Sequence, residues 1–263
     1  MLLTFFSFVT SCKDEGKKEE ENTLKENPKI VVVSDLHYFD LSLLINKGAA
    51  FEEYITSDRK LIEESSSITA SLMNSIIDEN PDIVLVCGDL TKDGERKSHE
   101  GLIAQFANLK AKGIQVIVTP GNHDINNPHA FSFDGDAKTP CENVTPELFK
   151  SLYNDYGFSN AIAKGPDLCY VVEPAKDMWI ISIDACEYKD NIALNTPVTG
   201  GSIDSEKLAW ILAQIKSGTE QGKTVMGMMH HGVVEHFTGQ EMLFSEYVVD
   251  DGQISRNLLL MQV

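Results

Sequence analysis

The chain has 263 residues, of which 42% are hydrophobic and 24% charged, enough to bury one sizeable core in a single large domain. Its formal net charge of -18 excludes a partner held mainly through phosphate-backbone contacts, because such a partner requires a basic face. A nucleic-acid polymer is therefore not expected. A small phosphorylated substrate is compatible with this charge, provided that cations supply positive charge locally.

Residues 1–12, "MLLTFFSFVTSC", are apolar and too short to span a bilayer. They resemble the tail of a bacterial lipoprotein signal peptide. "VTSC" stands where a lipobox would and Cys12 where lipid would attach, although the basic segment expected of a secretory signal is missing. Residues 13–28 have the mixed charge and low hydrophobicity of a disordered tether. The expectation is a cell-envelope protein held to a membrane by a lipid on Cys12, on the periplasmic or surface face, with residues 29–263 as the folded domain.

"KIVVVS" reads as a strand, continuously apolar as in sheets covered on both faces. Residues 58–79 carry Leu61, Ile62, Ile68, Leu72 and Ile76 at helical spacing, with Asp58 as N-cap. Asn80-Pro81 ends that helix, since the residue before proline is driven out of the α region. "DIVLVCG" is the next strand, residues 95–113 a helix closed by Gly113, and "IQVIVTPG" a third strand. This alternation predicts right-handed crossovers and a mostly parallel sheet. Residues 124–167 are loop-rich, with one short helix in "TPELFKSLYNDYG". "DLCYVVEPAKDMWIISIDAC" predicts two strands around a turn at Pro174–Asp177. An amphipathic helix capped by Asp204 and carrying Trp210 on its apolar side comes next, and then the strand "TVMGMMHHG". Met226, Met228 and Met229 read as core, and the last segment as helical, entering a further strand at "LLLMQV". Cys87 reads as a small buried hydrophobe. Cys87, Cys141, Cys169 and Cys186 fit no zinc motif, and a disulfide among the last three stays open.

The polar residues that carry chemistry all follow apolar strands. These are Asp35 and His37, then Asp89, then Asn122, His123 and Asp124, and finally His230. In open α/β sheets that edge is where ligands bind. Carboxylates and imidazoles converging there need neutralising charge, which divalent cations supply. The set exceeds what one zinc normally takes, so two metals are expected, the arrangement that clamps an in-line displacement at phosphorus.

"SDLH", "GDLT", "GNHD" and "MMHHG", in that order and each at a strand end, resemble the calcineurin-like metallophosphoesterases over about residues 29 to 263. "GDLTKDGERKSHE" and "DNIALNTPVTGGSID" look further like the branch containing bacterial cyclic-nucleotide phosphodiesterases. The resemblance implies an α/β fold of mixed β-sheets, a sandwich flanked by helices. It implies two divalent metal ions (manganese, iron or zinc) and hydrolysis of a phosphodiester or phosphomonoester by metal-bound hydroxide. Asp35 and His37 would ligate the first metal and Asp89 would bridge both. Asn122 and His230 would ligate the second, and Asn122 would also line the substrate site. His123 would bind or protonate the substrate, and Asp124 would orient His123. Gly88 and Gly121 would let the backbone turn sharply beside the metals. The family's closing Gly-His-x-His segment has no counterpart, so the resemblance implies a domain truncated at its C-terminus with three protein ligands per ion. The alternative reading is a catalytically impaired, membrane-anchored protein that binds phosphate or metal without turnover.

Other polar residues receive plainer readings. His99, His129 and His236 are expected on the surface or in loops, His231 in packing or against substrate, and Asp93 and Glu95 at a helix start. The apolar insertion at residues 38–57 is either a lid over the substrate or simple packing.

Overall fold

A computed structural model describes residues 24–250. Cys12, nearly all of the tether and "LLLMQV" lie outside the described residues. The elements in chain order are β1 (Ile30–Val33), β2 (Leu44–Asn46), α1 (Ala49–Thr56), α2 (Ser65–Glu79), β3 (Ile83–Cys87), α3 (Arg96–Ala111), β4 (Gln115–Thr119) and the hairpin β5 (Phe131–Asp134) and β6 (Ala137–Pro140). Then come α4 (Pro146–Leu152), β7 (Ala163–Lys164), β8 (Tyr170–Ala175), β9 (Met178–Ile183), α5 (Asn191–Leu194), α6 (Ser205–Glu220), β10 (Thr224–Met229) and α7 (Gln240–Phe244). Among the described residues, no helix is long and apolar enough to cross a membrane.

The strands form three sheets, ordered β1-β3-β4, β10-β9-β8-β7 and β2-β5-β6. The first is wholly parallel. The second is mixed, with β10 parallel to β9 and the β9-β8 and β8-β7 pairs antiparallel. The first two sheets face each other across the main core, to which β3 gives Val84 and Val86, β4 gives Val116 and Val118, and β8 to β10 give Tyr170, Val172, Ile180 and Met228. Polar bonds also cross the sandwich: Thr119 Oγ1 donates to the Ile183 carbonyl at 3.3 Å, and the Tyr170 hydroxyl to that of Val118. The helix α6 covers the outer face of the second sheet, where Ile211, Leu208, Trp210 and Ile215 pack on Trp179 and Ile181.

Several local expectations change. Among the described residues β1 is an edge strand, and with Val32 61% exposed it is not covered on both faces. The helix expected from residue 58 begins only at Ser65, and Leu61 and Ile68 are exposed. Asp58 caps a turn instead, accepting from the Lys60 amide at 2.9 Å. Asn80 leaves the α region for the left-handed one, with φ 47°. Asp204 caps α6 as expected, accepting from the Lys207 amide. Met226 is 37% exposed rather than core, and β10 ends its sheet among the described residues. Cys87 is only half-buried, and Cys87, Cys141, Cys169 and Cys186 are all free thiols.

The insertion at residues 38–57 packs rather than hangs free. Phe39 and Phe51 join Phe133, Leu43 and Ile62 in a separate small core, with the Phe51 and Phe133 rings 5.2 Å apart, edge to face. Its β2 pairs with β5 in the third sheet.

Candidate active site

The β1 and β3 ends are zipped beyond their strands. Asp35, His37 and Tyr38 amides donate to the carbonyls of Gly88, Asp89 and Leu90, each at 3.0 Å. This continuation fixes the "SDLH" loop against the "GDLT" loop. Asp35, His37 and Asp89 take left-handed backbone conformations (φ 55°, 41° and 48°), which cost energy in non-glycine residues and concentrate at functional sites. Glycine is required twice. A Cβ on Gly88 (φ +81°) would fall 2.7 Å from the His230 ring, and one on Gly121 would fall 2.0 Å from the Asp89 nitrogen.

Asp89 stands at the centre, 4% exposed. Its Oδ2 lies 3.5 Å from His37 Nε2 and 3.9 Å from His123 Nε2. Its Oδ1 lies 3.4 Å from His230 Nε2 and accepts from the His123 amide at 3.0 Å. Each oxygen thus faces a different set of nitrogen donors, which is the geometry a bridging carboxylate needs. Two clusters share it: His37, Asp89 and His123 form one, and Asp35, Asp89 and His230 the other, with ligand atoms inside 4.8 Å of one another. Asn122 Oδ1 is 3.1 Å from His230 Nε2 and so faces the second cluster. The sequence reading grouped Asp35 with His37. Here Asp35 Oδ1 is 3.8 Å from His37 Nε2 yet clusters with His230.

The donor chemistry fits divalent cations. His230 Nδ1 donates to the Cys87 carbonyl at 3.0 Å, directing Nε2 at Asp89, the orientation by which backbone carbonyls fix metal-binding imidazoles. Burial pushes His37 down to about 3, keeping its ring neutral as a ligand must be. Burial alone would raise the Asp89 carboxyl, but the His230 hydrogen bond and the neighbouring imidazoles outweigh it and hold it well below the usual carboxylate range. Burial would likewise lower His230, yet the hydrogen bond and charge of Asp89 push it up to about 9. The positive charge that Asp89 draws onto this ring is what a cation at the same point would supply.

The orientation of His123 corrects the sequence reading. Its Nδ1 pairs with Asp93 Oδ1 at 3.0 Å, not with Asp124. The Asp93 carboxylate also accepts from the Tyr54 hydroxyl at 2.6 Å, Lys92 Nζ at 2.8 Å and Asn127 Nδ2 at 3.3 Å. Asp93 is therefore no helix-dipole acid. Asp124 is wholly buried and accepts instead from the amides of Gly121, Leu90 and Thr91 and from the Thr91 hydroxyl. It clasps the "GNHD" loop to the "GDLT" loop and never meets His123. Burial pushes Asp124 up to about 6. For His123, burial alone would lower the ring, but the Asp93 hydrogen bond and the Asp89 and Asp93 charges hold it above its ordinary value. The available signal for Asp93 was an acid four residues beyond Asp89 in "GDLTKDG". Only the fold shows which carboxylate the ring meets.

The other histidines divide. His99 is fully buried, contrary to expectation, with Nδ1 2.8 Å from the Tyr153 hydroxyl and Nε2 3.0 Å from the Asp124 carbonyl. His129 is exposed. His231 is buried, its Nε2 donating to the Thr199 carbonyl at 3.0 Å. His236 is exposed on the rim of the site cavity. Glu95 stands at the N-cap of α3 but makes no capping bond. It is wholly buried, and burial pushes it up to about 8.

The clusters open into a cavity of about 770 Å³, walled on one side by Asp58, Arg59 and Lys60 and on another by Thr199, His231 and Tyr247. The turn that directly follows the insertion thus borders the site, and the insertion itself forms the small core beside it.

A family model described as calcineurin-like phosphoesterase matches residues 28–252. The chain belongs to the calcineurin-like phosphoesterase family. No curated protein sequence matches it significantly. Among solved structures it is similar to a dimetal phosphatase from Danio rerio, LOC 393393, with 14% identity and a TM-score of 0.57, over 89% of this chain and 78% of that one. It also matches the purple acid phosphatase PPD1 from yellow lupin (Lupinus luteus) seeds at 16% identity and a TM-score of 0.44, over 85% of this chain and 34% of that one. At 14% identity the likeness to the dimetal phosphatase is one of fold.

Proposed function

We propose that this calcineurin-like phosphoesterase is a metal-dependent hydrolase of small phosphate esters, with a phosphodiester such as a cyclic nucleotide preferred over a phosphomonoester. One observation carries the reading: the two oxygens of Asp89 face two separate donor clusters at the strand ends. Asp35, His37, Asp89, Asn122 and His230 would hold a pair of divalent cations, manganese, iron or zinc. When bound, such cations lower the pKa of water toward ~7 and neutralise charge at phosphorus.

The chain's own groups supply the remainder. Asp89 holds the His123 amide, and Asp93 holds its Nδ1, so Nε2 is aimed into the cavity. With its proton retained by Asp93 and Asp89, His123 can donate to a phosphoryl oxygen or to the departing one. Asp124 keeps the two loops in register while this happens. The partner is a small molecule, since the charge of -18 disfavours a nucleic-acid polymer. A lipid anchor at Cys12 is part of the proposal and rests on "VTSC" alone.

The test is hydrolysis of bis-(p-nitrophenyl) phosphate and p-nitrophenyl phosphate by protein loaded with manganese, iron or zinc. Turnover of the diester, lost in Asp89→Asn, is expected. Equal turnover by parent and variant would overturn the assignment.

A further inference from the structure

We propose that Lys60 binds substrate, forming with His123 a paired clamp on one phosphoryl oxygen. Lys60 lies outside every strand-end motif, and the inference rests on the phosphoesterase reading of the same cavity.

Lys60 Nζ stands 3.5 Å from His123 Nε2. Two nitrogen donors at that separation can both reach a single oxygen at an ordinary hydrogen-bond length of about 2.8 Å. The imidazole is already committed at Nδ1 to Asp93, so Nε2 is the atom free to share such an acceptor. The ammonium is only loosely paired. Its nearest carboxylate oxygen, Asp58 Oδ2, is 4.0 Å away and sits closer to Lys92 Nζ, at 3.2 Å. The other Asp58 oxygen accepts from the Lys60 backbone amide at 2.9 Å, bracing the turn that presents the side chain. Among the described residues, Arg59 and Lys60 are the only lysine or arginine residues lining the cavity, in a chain whose net charge is -18. An ammonium with only a long ion pair, beside an imidazole donor on the wall of an otherwise acidic and histidine-rich cavity, is an anion site.

The clamp predicts a charge dependence. Coulomb attraction scales with ligand charge, so a dianionic monoester or inorganic phosphate gains more from Lys60 than a monoanionic diester does.

The experiment uses the manganese-loaded full chain, Lys60→Met, Lys60→Arg and, as a remote control, Lys216→Met on α6. Calorimetry gives the Kd for inorganic phosphate, and steady-state assays give kcat and KM for p-nitrophenyl phosphate and bis-(p-nitrophenyl) phosphate. In Lys60→Met the phosphate Kd is expected to rise about 10-fold or more, as for loss of a hydrogen bond to a charged group. The kcat/KM loss should be greater for the monoester than for the diester. Lys60→Arg should retain affinity within a few-fold, and Lys216→Met should match the parent. A Lys60→Met protein that binds phosphate as tightly as the parent, or a parent that binds none, overturns the clamp. Ester turnover that persists alongside unchanged phosphate affinity in Lys60→Met removes the clamp alone. A parent that turns over no ester, yet loses phosphate affinity on Lys60→Met, removes the phosphoesterase reading and sustains the clamp.

Discussion

The two facing sheets place carboxylates at the same kind of position and use them differently. In the first sheet, Asp89 follows β3 and meets imidazoles from three directions, His37, His123 and His230. In the second, Asp184 follows β9 and is equally buried, but it accepts from the Tyr188 hydroxyl at 2.7 Å and from the amides of Cys186 and Leu168. Burial pushes Asp184 up, whereas Asp89 is held down despite its burial. A carboxylate at a strand end becomes a ligand candidate only where other donors converge on it. In the wholly parallel sheet, all three carboxyl ends lie side by side and supply every candidate metal ligand except His230. The mixed sheet contributes His230, which follows β10 and stands beside Gly88.

The sharpest way to break this contrast is to neutralise each carboxylate in turn. Asp89→Asn should lower kcat/KM by on the order of 10²–10³ or more and reduce bound metal, read by elemental analysis after dialysis. Asp184→Asn should leave metal content unchanged and cost about 1–3 kcal/mol of stability in urea melts. Equal metal loss in both variants would dissolve the distinction.

A smaller effect separates the two acids around the "GNHD" loop. Asp93→Asn should lower kcat roughly 10–100-fold with little change in KM, as for loss of a carboxylate that orients an imidazole. It should also shift the pH profile of kcat, because His123 loses the group that holds it above its ordinary value. Asp124→Asn should instead show chiefly in the melting temperature, since its carboxylate bonds loop amides. Tyr54→Phe, which removes one of the bonds to Asp93, should change kcat by less than about 10-fold, in line with ~1 kcal/mol for a single hydrogen bond.

A last effect touches stability rather than turnover and is confined to acid pH. Folded His99 titrates at about 4 because of burial, against 6.5 when unperturbed. Between those values the unfolded chain binds the proton and the folded chain does not, so stability falls as pH drops from 6.5 toward 4. The full cost is up to about 3 kcal/mol. Urea midpoints at pH 7 and pH 5 should converge in His99→Gln relative to the parent, and an undiminished pH dependence would assign it to other groups.

Much of the molecule was legible because its signals are local. Apolar runs marked β1, β3, β4, β9 and β10, Asp204 announced the start of α6, and the motifs named Asp35, His37, Asp89, Asn122, His123 and His230 as polar groups at strand ends. Periodicity overreached at residues 58–64, where Leu61 is solvent-exposed and the chain forms turns before α2. The β5-β6 hairpin went unread because its residues "FSFD" and "AKTP" lack a run of apolar side chains.

By itself the sequence determined which residue types stand at which strand ends, since backbone pairing and apolar burial repeat over a few residues and leave a periodic trace. Tertiary structure alone decided that Asp93 rather than Asp124 meets His123, that His99 is interior, and that Lys60 reaches the cavity. Those outcomes depend on loops 30 or more residues apart being brought within hydrogen-bond distance. Such side-chain directions are set by packing, and packing leaves no periodic signal along the chain.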